Sequence, residues 1–253
     1  MPDTQRIAVV TGASSGIGEA TCQALAGAGF HIVAGARRQD RLQKVVAPLG
    51  GEALPLDVTQ LPSIDAFVQA VGARHGRIDV LVNNAGLAAG LAPVAEGRDD
   101  DWVQMLETNV LGMLRMTRAC LPLLRKASGS HIVNLGSVAG FEVYTGGAGY
   151  TASKHAVRAI TRTLRLELVG EPIRITEVAP GMVETEFSLV RFKGDAARAA
   201  EVYRGVQPLT GADVADCILW AVTRPLHVNI DELVVRPIAQ ANAFTVARRS
   251  PSG

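Results

Sequence analysis

The sequence predicts an α/β protein in which one doubly wound domain contains a seven-stranded parallel sheet with helices on both faces. Short apolar runs alternate with longer segments of helical periodicity, which is the pattern of successive βαβ units. Hydrophobic residues make up 48% of the 253 residues and aromatic residues only 4%. The core is therefore built mainly from aliphatic side chains, which suit parallel strands that are buried on both faces.

Seven apolar runs account for the strands of this sheet. They cover residues 7–10, 31–34, 53–56, 78–82, 131–135, 173–178 and 232–235. No linker, tandem repeat or low-complexity block divides the chain, so residues 1–253 are predicted to form a single domain. The helical periodicity weakens around residues 184–210, and we expect a mobile loop there.

Composition and charge exclude several classes of protein. The formal net charge is +1, which gives no electrostatic basis for binding nucleic acid. Cys22, Cys120 and Cys217 lie far apart without metal-binding spacing, so we expect buried thiols and no metal site. No apolar stretch is long enough to span a bilayer, and no secretory leader is recognisable. We therefore expect a cytoplasmic protein with no membrane partner.

A glycine-rich turn follows the first strand, where residues 11–18 have the sequence TGASSGIG. Glycine lets the backbone approach a ligand closely. The helix that begins behind the turn presents free N–H groups, which suit a pyrophosphate. Turns of this kind also pack helices onto strands, but the position directly after an apolar strand favours a dinucleotide site. The candidate contacts are Gly12, Ser14, Ser15, Gly16 and Ile17.

The end of the second strand favours NADP over NAD. NAD-selective sites usually place a carboxylate there to bind the ribose hydroxyls, and this chain has Ala36. Arg37 and Arg38 follow, and their guanidinium groups can bind a 2′-phosphate. The alternative is that both arginines only begin a solvated helix.

Tyr150 and Lys154 form the candidate acid/base pair. Residues four apart share one helix face, about 6 Å apart along the axis. Tyrosine has an unperturbed pKa of about 10, and an ammonium group about 5 Å away lowers that pKa by about 2 units. Tyr144 and Tyr203 have no lysine at this spacing. The pair therefore predicts proton transfer at Tyr150.

Small and polar residues follow several strands at the carboxyl edge of the sheet, where open α/β folds bind their ligands. Ser137 follows the run 131–135 and can hold a carbonyl oxygen. The segment 83–86 (NNAG) leaves room for a ribose or an adenine, and Asp57 can accept a hydrogen bond from an adenine amine. Each of these residues is also an ordinary turn former.

Together these elements resemble the short-chain dehydrogenase/reductase family over nearly the whole chain. The resemblance rests on residues 11–18, 83–86, Ser137, the Tyr-x-x-x-Lys motif at 150–154 and Pro-Gly at 180–181. It implies a Rossmann fold and hydride transfer with a nicotinamide cofactor. It also implies that Lys154 binds the nicotinamide ribose and that Asn109 completes a catalytic tetrad and anchors a water-linked proton path. The catalytic residues are then Asn109, Ser137, Tyr150 and Lys154.

The candidate cofactor-binding residues combine the turn, the arginines and the family positions. They are Gly12, Ser14, Ser15, Gly16, Ile17, Arg37, Arg38, Asp57, Val58, Asn84, Ala85, Gly86, Tyr150, Lys154, Pro180, Gly181, Val183 and Thr185. Asn84 is preferred to Asn83. The predicted cofactor is NADP.

A narrower resemblance lies in the last third of the chain. Residues 185–195 (TEFSLVRFKGD), 227–230 and 236–240 are similar to the NADP-dependent 3-hydroxy acid dehydrogenases, which act on serine, allo-threonine and other 3-hydroxy acids. In one departure, Glu184 stands where that subgroup carries glycines, and it adds a charge at the pocket mouth. The alternatives are a clavaldehyde-like aldehyde reductase, a 3-oxoacyl thioester reductase or a non-catalytic NADPH sensor. The complete catalytic set argues against the sensor.

The expected substrate contacts are Ser137, Tyr144, Tyr150 and Arg191. A hydroxy acid carries a carboxylate, which needs a cationic partner in a partly dry pocket. Arg191 lies in the loop after residues 180–181, and its planar guanidinium suits a carboxylate. The alternative is that Arg191 pairs on the surface with an acidic neighbour, namely Glu184, Glu186 or Asp195.

Helices are predicted for segments 101–126 and 150–169, and each carries apolar residues on more than one face. Helices of this kind usually bury a second surface. The family resemblance implies that these two helices form the main interface between subunits. A homotetramer is therefore expected, with a small molecule as its substrate.

Overall fold

The computed structural model describes residues 5–249, and residues 1–4 and 250–253 of the predicted domain lie outside that range. Seven strands form one sheet in the order β3-β2-β1-β4-β5-β6-β7, and every neighbouring pair is parallel. The strands are β1 (Ile7–Thr11), β2 (His31–Ala36), β3 (Glu52–Pro55), β4 (Val80–Asn83), β5 (Ser130–Leu135), β6 (Ile173–Pro180) and β7 (Glu232–Val235). The predicted seven-stranded parallel sheet is confirmed.

The helices alternate with these strands. They are α1 (Gly16–Gly27), α2 (Gln39–Val46), α3 (Leu61–His75), α4 (Asp99–Leu106), α5 (Met113–Leu124), α6 (Ala148–Glu167), α7 (Phe187–Arg191), α8 (Ala196–Glu201) and α9 (Gly211–Val222). A π-helical turn over Glu107–Gly112 joins α4 to α5, so the predicted helix at 101–126 is interrupted near its middle. None of these helices is long and apolar enough to cross a membrane.

The sheet separates two apolar cores. On one face, α1 and α9 bury Leu25 and Ile218 together with side chains of α2. On the other face, α3, α5 and α6 bury Phe67, Met116 and Leu164. Both faces are therefore covered by helices, which confirms the doubly wound architecture that the aliphatic composition predicts.

The order of the strands reverses at β1, which pairs with β2 on one side and with β4 on the other. Chain connections leave in opposite directions from such a point and open a crevice at the carboxyl ends of the strands. The glycine-rich turn after β1 and the residues after β4 both lie at this edge. The fold therefore positions a ligand site where the motifs of the sequence meet.

The 184–210 segment contains the short helices α7 and α8. Tyr203 anchors it from within, because its hydroxyl donates to the Val183 carbonyl at 2.9 Å and lies 2.7 Å from Ser188 Oγ. An ion pair of 2.8 Å between Lys193 and Asp101 ties the segment to α4. The mobility expected for this segment stays a prediction.

Candidate active site

The turn between β1 and α1 has a backbone that only glycine adopts readily. Gly12 and Gly16 have φ angles of +64° and +59°, in the left-handed region. A Cβ at Gly12 would lie 2.8 Å from the Ala85 Cα, and one at Gly18 would lie 2.5 Å from Asn84 Nδ2. The glycines therefore allow the turn to pack directly against the loop after β4.

One pocket follows the carboxyl edge of the sheet from this turn to the start of α6. It is lined by every candidate cofactor-binding residue, from Gly12 through Thr185, and by Ser137. Glu186, Phe187 and Val190 of the 184–210 segment also line it, and the sequence motifs did not identify these three. Asn109, Tyr144 and Arg191 lie outside the lining. The structure thus gathers the predicted cofactor residues into one cleft.

The two arginines after β2 have different surroundings. Arg38 donates to Ser14 Oγ at 3.1 Å and to Ser15 Oγ at 2.7 Å. The exposed side chain of Arg37 lines the pocket and makes no hydrogen bond or ion pair with other residues in 5–249. Arg37 is therefore the guanidinium left available for a ligand.

Glu186 connects the 184–210 segment to the other side of the pocket. Its carboxylate pairs with Arg38 at 2.8 Å and with Arg41 at 2.6 Å. Hydrogen bonds from these two guanidinium groups lower the pKa of Glu186, so the carboxylate stays ionised. These ion pairs connect the two sides of the pocket. Glu186 is 145 residues away from Arg41 and 148 residues away from Arg38 in the sequence, so no local motif could predict the contacts.

Ser137, Tyr150 and Lys154 meet beyond the end of β5. The Lys154 ammonium donates to the Leu135 carbonyl at 2.7 Å and lies 5.9 Å from the centre of the Tyr150 ring. Ser137 Oγ accepts from the Ala139 N–H at 3.1 Å, which fixes the hydroxyl at the strand end. Three groups suited to proton transfer and carbonyl binding therefore share one wall of the pocket.

The pKa of Tyr150 differs from the sequence-based expectation. Burial of the phenol, with a smaller contribution from Tyr144, raises its pKa to about 12, while Arg191 and a hydrogen bond with Ser137 oppose the rise. Burial lowers the pKa of Lys154 to about 8. The lowering of the Tyr150 pKa that the sequence predicts is therefore wrong, because desolvation by burial dominates, and the Lys154 ammonium donates to a backbone carbonyl instead.

Arg191 lies against the aromatic side chains above this wall. Its guanidinium donates to the Tyr144 hydroxyl and lies 5.1 Å from the centre of the Tyr150 ring. Its Nε is buried without a hydrogen-bond partner in the described part of the chain. The alternative of a surface ion pair is wrong, because within residues 5–249 Arg191 makes no ion pair with Glu184, Glu186 or Asp195, and Glu186 binds Arg38 and Arg41. Glu184 is exposed and does not line the pocket, so the charge expected at the mouth comes from Glu186.

A model of the family described as short chain dehydrogenase matches residues 6–195. The chain belongs to the short-chain dehydrogenase family. This confirms the family that the motifs predict, and it agrees with the position of the pocket at the carboxyl edge of the sheet.

Relatives of this short-chain dehydrogenase cover almost the whole chain. An uncharacterized oxidoreductase of Mycobacterium tuberculosis (strain CDC 1551 / Oshkosh) is 56% identical over 239 residues, 94% of each chain. An NADP-dependent 3-hydroxy acid dehydrogenase of Schizosaccharomyces pombe is 43% identical over 248 residues, 95% of this chain and 96% of its own. The solved closed form of a serine dehydrogenase complexed with NADP⁺ is 40% identical with a TM-score of 0.91, covering 96% of this chain and all of that one.

In this short-chain dehydrogenase the side chain of Asn109 is buried in the π-helical turn. Its Oδ1 accepts from the Leu87 N–H at 2.8 Å, and its Nδ2 donates to the Leu87 carbonyl at 2.8 Å and to Ser153 Oγ at 3.0 Å. π-Helical turns inside α-helices frequently mark functional sites. Asn109 therefore fixes the loop after β4 against α6, and its place in a proton path stays a prediction.

The two asparagines after β4 lie in different environments. Asn83 is buried and donates to Thr117 Oγ1 at 2.9 Å and to Asn134 Oδ1 at 2.8 Å. Asn84 lines the pocket and donates to the Thr11 carbonyl at 2.9 Å. The structure thus places the preferred Asn84 at the pocket and Asn83 in the core of the dehydrogenase.

Asp57 lines the part of the pocket where an adenine is expected in this dehydrogenase. One oxygen of its carboxylate already accepts hydrogen bonds from the protein. Its Oδ1 accepts from the Thr59 N–H at 3.0 Å and from Thr59 Oγ1 at 2.7 Å. The side chain is therefore fixed in orientation before any ligand contacts it.

Far from the pocket, three side chains of the dehydrogenase with metal-binding donors lie together. The Nε2 atoms of His31 and His75 lie 3.0 and 2.8 Å from Glu52 Oε1, and Arg74 binds Glu52 Oε2. Burial opposes ionisation, but these hydrogen bonds lower the pKa of Glu52 to about 2. Both oxygens of the Glu52 carboxylate thus have hydrogen-bond partners among His31, His75 and Arg74. The expectation that the protein has no metal site stays a prediction.

Proposed function

We propose that the protein is an NADP-dependent oxidoreductase that transfers a hydride between the cofactor and a small 3-hydroxy acid or hydroxy amino acid. Serine, allo-threonine and 3-hydroxypropionate represent this substrate class. The observation that carries the proposal is the convergence of Ser137, Tyr150 and Lys154 on a glycine-lined pocket, with Arg191 beside Tyr150. The names of the relatives support the cofactor and the substrate class.

The donors along the pocket fit a nicotinamide dinucleotide phosphate. Gly12 and Gly16 line the pocket where α1 begins, and the free N–H groups at the uncapped N-terminus of α1 suit a pyrophosphate. Arg37 would hold the 2′-phosphate with its free guanidinium, and Lys154 would hold the nicotinamide ribose. When bound, NADP⁺ would supply the hydride acceptor.

In the oxidative direction, the Tyr150 phenolate takes the proton from the substrate hydroxyl while the carbinol hydrogen leaves as a hydride. Ser137 holds the same oxygen as it becomes a carbonyl. The Lys154 ammonium favours the phenolate, since an opposite charge lowers the free energy of the charged form. The products are the carbonyl compound, the reduced cofactor and neutral Tyr150. The reverse reaction uses the Tyr150 hydroxyl as the acid.

Turnover of a panel of alcohols with NADP⁺, followed by absorbance of the reduced cofactor, tests the proposed function. The panel contains serine, allo-threonine, 3-hydroxypropionate and simple alcohols, and the reverse assay contains an aldehyde and a 3-oxoacyl thioester. The expected result is turnover of the hydroxy acids. Turnover confined to the aldehyde or the thioester would support those alternatives, and cofactor binding without any turnover would support a sensor.

Replacing Arg191 with alanine should raise KM for a carboxylate substrate and hardly change KM for an uncharged alcohol of similar size. Arg191 is directed over the Tyr150 ring, and its buried Nε has no partner within residues 5–249. A charge-assisted hydrogen bond is worth about 1.5–3 kcal/mol, so the increase in KM should be about 10-fold or more. Steady-state kinetics on both substrates measures this difference.

Arg198→Ala is the matched control for Arg191→Ala. Arg198 lies on α8 in the same 184–210 segment, is exposed and stacks on Phe192 instead of on Tyr150. It should leave KM for both substrates unchanged. If Arg191→Ala impairs the charged and uncharged substrates equally, Arg191 does not bind the carboxylate.

The protein should form a homotetramer in solution. Apolar side chains remain exposed on the helices predicted for the interface, with exposed fractions of 57% at Val103, 77% at Leu166 and 81% at Val169. Val103 lies on α4, Leu166 on α6 and Val169 just after α6, and exposed apolar surface of this kind marks an association surface when it forms a contiguous patch. Light scattering at micromolar concentration should give four times the chain mass, and a monomer mass would refute the assembly. The cytoplasmic location stays a prediction.

A further inference from the structure

Glu177 is a buried acidic residue that the proposed reaction does not use. It lies in β6, where its backbone is in register with Asn134 of β5 and with Glu232 of β7. Its side chain is 2% exposed, and its Oε1 has no hydrogen-bond partner within residues 5–249. Burying a carboxylate without partners is costly, so its presence among aliphatic strand residues needs a reason.

The carboxylate lies beside the strand end that holds Lys154. Any Cβ at Gly136 would overlap Glu177 Oε1, and Gly136 directly follows Leu135, whose carbonyl accepts from Lys154 Nζ at 2.7 Å. A Cβ at Gly140 would lie 3.0 Å from the Lys154 carbonyl and 3.7 Å from Glu177 Oε1. The two glycines therefore leave room for the Glu177 carboxylate beside the end of β5 and the backbone of α6, the two elements that position the Lys154 ammonium.

The charges around Glu177 come from α6 and β7. Burial, together with Glu232 of β7, raises the pKa of Glu177, while Arg158, Lys154 and Arg162 of α6 oppose this rise by favouring the ionised form. Burial lowers the pKa of Lys154 to about 8, and the charge of Glu177 is the interaction that acts against this lowering. Arg158 forms an ion pair with Glu232. Of these five charged side chains, Lys154 and Glu177 are the two that are buried.

We propose that Glu177 is a positioning residue whose buried carboxylate keeps the Lys154 ammonium charged, and that it thereby sets the pH range in which Tyr150 accepts a proton. The inference rests on the proposed roles of Tyr150 and Lys154. Glu177 touches neither substrate nor cofactor and acts through Lys154 alone. With its charge removed, Lys154 loses its proton at lower pH, and Tyr150 then stays protonated to higher pH.

Glu177→Gln removes the charge and keeps the shape of the side chain. The chain contains four lysines, at positions 44, 126, 154 and 193, so ¹³Cε-lysine NMR resolves Lys154, with Lys154→Arg giving the assignment. The wild-type signal should titrate with a pKa of about 8. In Glu177→Gln this pKa should fall by about 1 unit or more, while the other three lysines do not change. An unchanged Lys154 titration overturns the proposal.

Glu232→Gln is the matched control, because it removes a neighbouring carboxylate that is partly exposed and bound to Arg158. It should leave the Lys154 pKa within a few tenths of a unit of wild type. Glu177→Asp keeps the charge but shortens the side chain, and it should give a pKa between those of wild type and Glu177→Gln. Equal shifts in the Gln and Asp variants would assign the effect to packing and overturn the proposal. If the Gln variant does not fold, the Asp variant decides, since an unshifted or raised pKa there contradicts the proposal.

The kinetic test follows kcat/KM for oxidation against pH. The acid limb, which reports deprotonation of the base, should move to higher pH in Glu177→Gln and stay in place in Glu232→Gln. An unmoved limb in Glu177→Gln contradicts the proposal. If the wild type oxidises no hydroxy acid, the proposed function fails, but the Lys154 titration still decides the role of Glu177, because that experiment needs no substrate.

Discussion

Replacing Tyr150 with phenylalanine is expected to abolish turnover while the affinity for NADPH stays nearly unchanged. The substitution deletes only the phenolic oxygen, and the ring keeps its edge-on contact with Phe187, whose centre lies 5.5 Å away. General acid–base catalysis contributes about 10²–10⁴-fold to rate, so turnover should fall by at least about 100-fold. Turnover in both directions and a fluorescence titration with NADPH measure the two quantities.

Lys154→Ala provides the contrast for this experiment. Lys154 lines the cofactor pocket and also faces Tyr150, so its loss should reduce both NADPH affinity and turnover. A Tyr150→Phe enzyme that keeps more than a few per cent of the wild-type rate would rule out Tyr150 as the acid/base. Loss of NADPH affinity in the Phe variant would instead assign a binding role to the hydroxyl.

Replacing Arg37 with alanine is expected to weaken NADP binding by about 10- to 150-fold while NAD binding changes little. Losing a charge-assisted contact costs about 1.5–3 kcal/mol, which corresponds to this range. Arg37 has no other partner in the part of the chain that the structure describes, so the loss is not spread over internal contacts. Dissociation constants for both cofactors, measured at one salt concentration, test the expectation.

Arg38→Ala distinguishes phosphate binding from support of the turn. Arg38 holds Ser14, Ser15 and Glu186, so its replacement should loosen the glycine-rich turn and weaken both cofactors. Equal losses of NADP and NAD affinity in Arg37→Ala would show that Arg37 does not recognise the 2′-phosphate. The comparison also separates the two arginines, which the sequence alone treats as equivalent.

Much of the fold and the pocket follows from local patterns in the sequence. Each predicted strand has a counterpart whose ends differ from the prediction by at most two residues, because a run of buried aliphatic side chains marks a parallel strand directly. The turn at residues 11–18 and the residues after β4 are found for a similar reason, since parallel strands place their carboxyl ends at one edge.

The contacts of the 184–210 segment could not be predicted in this way. Glu186 meets Arg38 and Arg41, and Arg191 meets Tyr144, only after the chain folds back over the sheet. The helical spacing of three or four residues predicts contacts within one helix, but it carries no information on contacts between residues that are far apart in the sequence. The sequence does not predict the raised pKa of Tyr150, because desolvation depends on the side chains that cover the phenol, and two of these, Phe187 and Arg191, come from a distant part of the chain.

Glu186 and Arg191 lie at the two ends of α7, with Glu186 on the arginines after β2 and Arg191 over the Tyr150 ring. A change in the contacts of Arg38 therefore alters the free energy of the same short helix that carries Arg191. Thermodynamic linkage makes any such coupling reciprocal. A substrate bound by Arg191 would therefore change the affinity of the pocket for the cofactor phosphate by the same factor as the cofactor changes the affinity for the substrate. If Arg191 binds the substrate as proposed, exchanges along α7 are therefore expected to affect substrate binding and the arginines after β2 together.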